Sequence, residues 1–182
     1  MLTTRDYEII DFVKEFKAVD TDTISRLFFP SRSACQKRLK AMHDENVLKR
    51  ARDSINDCYI YYHKQPKQLR HSLLVSRFYA ELQKRTRVLK FSIEPVYDNI
   101  RPDAAFVYSV GGASRLGLLE VELSNKGFDW FKYDRFFASE NYKRFMTVKP
   151  VLFIVSDKVS LRPNAPCKTI IVDTCFQSMR VD

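Results

Sequence analysis

The spacing of apolar residues changes character along this chain, and that change constrains the fold more than any other feature. Up to about Arg87 the apolar positions recur mainly at helical intervals; beyond it they gather into short runs that suit strands. Two different cores are therefore expected, and 182 residues with 45% apolar side chains suffice for both. Only four glycines and no Ser/Gly/Pro tract argue against a long flexible linker between them.

In the first part, Thr3 or Thr4 caps a helix whose Ile9, Ile10, Val13 and Phe16 form one stripe to about Lys17, with Asp6 placed for a box-like start. Val19 begins a short extended link. Thr21 or Asp22 caps a second helix with Ile24, Leu27 and Phe28 on its buried side, and Pro30 stops it because proline cannot continue the hydrogen-bond ladder. Ser31 then caps a third helix to about Asp44. This helix carries Arg32, Ser33, Gln36, Lys37 and Lys40 on one face and Ala34, Cys35, Leu39 and Met42 on the other. Two strands follow, 47–52 and 58–62, around the polar turn Asp53-Ser54-Ile55-Asn56-Asp57. Three helices with a tight turn between the last two, then a hairpin, describe a winged helix-turn-helix.

That arrangement points to duplex DNA. Lys37 and Lys40 suit phosphates, Arg32 and Gln36 suit base edges, and Lys49, Arg50 and Arg52 on the hairpin suit the DNA backbone. The hairpin tyrosines Tyr59, Tyr61 and Tyr62 either stack or contact phosphates or, for two of the three at least as readily, pack their ring faces on the helices. The formal charge of +9 supports a polyanionic partner. Its distribution says more: residues 1–90 hold 19 Lys+Arg against 11 Asp+Glu, whereas residues 91–182 hold 12 against 11.

A longer helix from Pro66 to Arg87 links the parts, packs on the second core, or pairs with its copy in a homodimer that would suit a two-fold DNA site. The expected organisation is a DNA-binding domain over 1–64, a connecting helix over 65–87 and an α/β domain over 88–182. Strands are expected near 89–94, 104–109, 116–123, 151–156 and 169–173, with one helix from about Phe128 to Arg144 before the fourth. The whole is thus α+β, its second part built on one mixed sheet. The apolar run 151–155 is far too short to cross a bilayer, and the N-terminus lacks the basic and apolar regions of a signal peptide. A soluble, cytoplasmic protein is expected. Cys35, Cys58, Cys167 and Cys175 form no Cys-x-x-Cys pair, and His43, His63 and His71 are isolated, so no zinc site or disulfide framework is indicated.

One group of residues in the second part bears on chemistry. Arg101-Pro102-Asp103 precedes a strand, and Glu120 and Glu122 on the next strand point to the same face. If these strands are neighbours, Asp103 joins them, and three carboxylates would attract a hard divalent cation. Together with the winged-helix start and Lys132-Tyr133-Asp134-Arg135-Phe136, these residues resemble the replication-relaxation proteins of plasmids and integrative conjugative elements.

The resemblance implies a winged helix fused to a restriction-endonuclease-like domain of the PD-(D/E)xK class. Asp103 and Glu120 then map to the magnesium-binding acids, and Glu122 stands where the motif has its lysine. Glutamate supplies no positive charge to the attacking water or the developing anion. Either Lys126 or Lys132 migrates into the role, or the fold persists as a scaffold with Glu120 and Glu122 in salt bridges to Arg101 or Lys132. The favoured expectation is therefore a DNA-binding accessory or repressor that needs no cofactor and acts with a relaxase, a replication initiator or its own copy. The alternative is a magnesium-dependent endonuclease.

Overall fold

Thr3 does cap the first helix. In the computed structural model, which describes residues 1–53 and 57–181, the Asp6 carboxylate accepts from the Thr3 N–H at 2.6 Å while the Thr3 hydroxyl accepts from the Asp6 N–H. Helix α1 (Thr4–Phe16) then buries Ile9, Ile10, Val13 and Phe16. It is followed by β1 (Val19–Asp20), α2 (Thr21–Phe28), α3 (Arg32–Asp44), β2 (Lys49–Asp53) and β3 (Cys58–Tyr62). The strands form an antiparallel sheet in the order β1-β3-β2. Val19, expected in an extended link, is thus a strand residue paired with Tyr61. The expected turn residues Ser54, Ile55 and Asn56 lie outside the described residues.

Two buried aspartates tie this unit, Met1–Ala80, together. Asp20 caps α2 by accepting from the Thr23 N–H at 2.7 Å, and its other oxygen accepts from Arg77 Nε at 2.5 Å. Arg77 belongs to α4 (Leu69–Arg85), so one carboxylate holds a helix start, a strand and a second helix in register. Asp6 does the same for α1 and α3, taking two hydrogen bonds from Arg38 at 2.8 and 2.6 Å. Those bonds hold its carboxyl well below the usual range. Between these anchors, Ala18, Ile60 and Leu73 pack together, and Phe12 lies against Phe16 and Phe28.

The second unit, Glu81–Asp182, is built on a five-stranded mixed sheet, as an α+β reading requires. Its strands β4 (Arg87–Ile93), β5 (Ala104–Val110), β6 (Ala113–Val121), β7 (Val151–Val155) and β8 (Thr169–Val172) are neighbours in chain order. The first three run antiparallel; β7 lies parallel to β6, and β8 parallel to β7. A parallel step needs a crossover, and α5 (Trp130–Ala138) supplies it. This helix is shorter than the sequence suggests. It ends at Ala138, Glu140 adopts a left-handed backbone with φ 55°, and a 3-10 turn covers Asn141–Arg144. The break lets Tyr142 fold back against Phe136 and Phe137.

Strand alternation gives the sheet two apolar faces. Ala105, Leu118, Leu152 and Ile154 pack with Tyr133, Phe136 and Phe137, whereas Phe106, Tyr108 and Phe153 gather on the other side with ring centroids 5.5 to 6.0 Å apart. Gly117 pairs with Phe106, and a Cβ built there would lie 2.4 Å from two ring carbons. Gly117→Ala is therefore expected to destabilise the protein by about 1–3 kcal/mol through overpacking. Thermal unfolding checks this; an unchanged midpoint would mean that the ring has room to move. Among the described residues no helix is long and apolar enough to cross a membrane.

Candidate functional site

Helix α3 starts where its sequence predicts, with Ser31 Oγ accepting from the Ala34 N–H at 3.3 Å. Only residues 29–31 separate it from α2. Its buried stripe is Cys35, Leu39 and Met42. Ala34, expected on that stripe, is exposed, because three residues at i, i+4 and i+7 cover a strip too narrow to reach it. Burial pushes the Cys35 thiol up to about 12, so it packs as a neutral group.

All five polar residues expected opposite this stripe, Arg32, Ser33, Gln36, Lys37 and Lys40, are exposed. Two of them hold carboxylates: Arg32 lies 3.1 Å from Asp22, and Lys40 2.6 Å from Asp44. Exposed pairs of this kind contribute little, so a phosphate can compete for either cation.

The hairpin beside α3 sorts its cations by the pleat. Register sets Arg50 against Tyr61 and Arg52 against Tyr59, whereas Lys49 pairs with Tyr62 on the opposite face. Arg50 and Arg52 therefore share one face of the hairpin, and Lys49 lies on the other. The Arg50 guanidinium lies 4.2 Å from the Tyr59 ring centroid, and Arg52 reaches Asp57 at 2.5 Å. Tyr61 and Tyr62 are buried and Tyr59 is exposed, so two of the three rings go to the core.

In the second unit the sheet brings Asp103 and Glu120 together. Ala104 pairs with Leu119, which sets Asp103 opposite Glu120 at the end of the ladder. The Asp103 N–H donates to the Leu119 carbonyl at 2.9 Å, and its carboxylate accepts from the Val121 N–H at 2.7 Å. Glu120 is 8% exposed, and its Oε1 accepts from Lys132 Nζ at 2.7 Å and from the Tyr133 hydroxyl at 2.5 Å. Asp129 caps α5 by accepting from the Lys132 N–H, which fixes the turn that delivers both donors.

Burial pushes the Glu120 carboxyl above its ordinary range; Lys132 opposes that shift and the Asp103 charge adds to it. Burial and the same carboxylate raise the Tyr133 hydroxyl well above its usual value, keeping it a proton donor. The cluster thus holds one ammonium and one phenol against a buried carboxylate with a second carboxylate alongside. A cation so placed stabilises negative charge that develops nearby.

The remaining expected residues do not join this cluster. Glu122 lies beyond the end of β6, and its carboxylate turns back to accept from the Ser124 N–H at 2.7 Å. Lys126 is exposed in the following loop, and Arg101 pairs with Glu94 at 2.5 Å. The expected three carboxylates are therefore two, and among the described residues no group of three or more His, Cys, Asp or Glu side chains is placed to hold a metal ion. Sequence reasoning missed Tyr133 as a polar partner because its place among buried aromatics hides the hydroxyl. Arg38 and Arg77 were missed because their aspartate partners are 32 and 57 residues away. Comparison with known proteins finds no matching family model, curated protein or solved structure.

Proposed function

We propose that the chain is a sequence-specific DNA-binding accessory protein of a mobile genetic element. The first unit acts as a winged helix: α3 enters the major groove, Arg32 and Gln36 meet base edges, and Lys37 and Lys40 hold phosphates. Arg50 and Arg52 lie along the backbone from the hairpin. The second unit, with a restriction-endonuclease-like sheet, recruits a relaxase, a replication initiator or a second copy of the chain. Replication, mobilisation or transcriptional control of the element is its setting, and the cytoplasm its compartment. The observation that carries this reading is the exposed polar face of α3 set opposite a stripe of only three buried residues.

The Lys132 to Glu120 contact favours a second reading, a metal-dependent endonuclease. Lys132 supplies the positive charge that Glu122 cannot. Two carboxylates also fit what magnesium takes from a protein, its other positions being left to water and phosphate oxygens. Asp103 and Glu120 would then hold the ion, which when bound polarises a phosphodiester and activates water. The Glu120 oxygen shared by Lys132 and Tyr133 fits a structural bridge equally well, so binding without cleavage remains the preferred reading.

A gel-shift titration on duplex DNA from the element, with magnesium or manganese and with chelator, tests both. A salt-sensitive shift with intact DNA in either condition is expected. Metal-dependent cutting that Asp103→Ala abolishes would establish the nuclease, and the absence of any shift would overturn the DNA-binding reading.

A further inference from the structure

Helix α5 has one face that its core does not use. Tyr133, Phe136 and Phe137 are buried and Trp130 is partly buried, whereas Phe131 is 64% exposed. Phe131, Arg135 and Ala138 follow one another at i, i+4 and i+7 and are all exposed, so they form a stripe on the outside of the helix. The Arg135 guanidinium lies 4.7 Å from the Phe131 ring centroid. In the next row Arg162 lies 5.5 Å from the Trp130 ring, but Asp134 neutralises it through two bonds at 2.8 and 2.7 Å. Arg135 has no carboxylate partner among the described residues. After the helix, Phe145 is 43% exposed with the Arg144 guanidinium 6.0 Å from its ring.

Residues 126–149 hold six Lys+Arg against three Asp+Glu, although the second half of the chain as a whole is almost neutral. A protein-docking patch would be a continuous apolar area. Here a single ring is followed along the stripe by a guanidinium and then a methyl group. The partner that fits must bring flat π surfaces and negative charge together, which bases and phosphates do. In a duplex the base faces are already stacked on one another; in a single strand they are available.

We infer that the outer stripe of α5 binds single-stranded DNA, a base stacking on Phe131 and the adjoining phosphate meeting Arg135. The choice of DNA over RNA rests on the DNA-binding role proposed above; the stacking site does not. Its position on the same helix as Lys132 sets it one residue from the side chain that reaches Glu120.

The test uses the full chain carrying Lys37→Ala and Lys40→Ala, so that α3 contributes little. Fluorescence anisotropy then measures binding to a labelled oligothymidine, an abasic strand of the same length and an oligouridine. Phe131→Ala is expected to weaken oligothymidine binding about tenfold and to leave the abasic strand unaffected. Phe131→Trp, which keeps a stacking surface, is expected to retain the affinity. Because Phe131 is exposed, neither change disturbs the core. Unchanged oligothymidine binding in Phe131→Ala, or an equal loss on the abasic strand, would overturn the stacking site. Tighter binding of oligouridine would overturn the assignment to DNA. Duplex binding by the chain with α3 intact is measured separately, so failure there is distinguishable from failure at α5.

Discussion

Lys132→Met is expected to lower the stability of the protein by about 3 kcal/mol at pH 7, because it leaves the Glu120 carboxylate buried without its cation. The loss should depend on pH in a particular direction. Burial already sets the Glu120 carboxyl above its ordinary 4.5, with Lys132 opposing that shift; removing the lysine raises the carboxyl further. A carboxyl whose folded value exceeds its unfolded one binds more protons when folded, so its contribution is present below 4.5 and is lost as pH rises through the folded value. The difference between variant and parent should therefore shrink toward pH 4.5 and grow toward neutrality.

Urea unfolding at both pH values reads this directly. The double variant Lys132→Met with Glu120→Gln should recover much of the loss, since glutamine keeps an acceptor for the Tyr133 hydroxyl without a charge. A loss that is the same at both pH values would mean that packing of the lysine stem matters and its charge does not.

The same cluster shows how far the sequence could be read. Alternation placed Glu120 on one face of its strand, and the neighbouring strands brought Asp103 opposite it. The first follows from local pattern, and the second from it once the two strands are neighbours. The fate of Glu122 does not: its strand ends one residue earlier, and only the backbone turn to Ser124 decides where the carboxylate goes. The choice between Lys126 and Lys132 was likewise undecidable from spacing. It depends on Asp129 capping α5, which fixes which residues of the first turn face the sheet.

The end of α5 was hidden for another reason. No glycine or proline marks the break, and a glutamate, Glu140, takes the left-handed backbone there. Helix α3, by contrast, was legible almost to the residue, because Pro30 and Ser31 mark its start and Cys35, Leu39 and Met42 mark its inner side. Strand β1 is two residues long and exists only through pairing with β3 about forty residues later, so nothing local announces it.

On the DNA-binding reading, Lys37→Ala together with Lys40→Ala should flatten the plot of log affinity against log salt by about 1.8, from a slope of about 0.9 per phosphate contact. Lys40 carries a further consequence. It is paired with Asp44 at 2.6 Å, and both side chains are more than half exposed. DNA must therefore draw Lys40 away from Asp44, and the loss of that pair offsets part of what the phosphate contact contributes. The alanine change at this position should thus cost less affinity than the one at Lys37, although each removes one positive charge. Asp44→Asn should act in the opposite sense and tighten duplex binding, since it frees Lys40 and removes a repulsive charge at once. Affinity measured across a salt series for all three variants separates the possibilities. An unchanged slope in the double variant would remove α3 as the docking face, and weaker binding in Asp44→Asn would mean that the carboxylate orients Lys40 for its phosphate and does not compete with it.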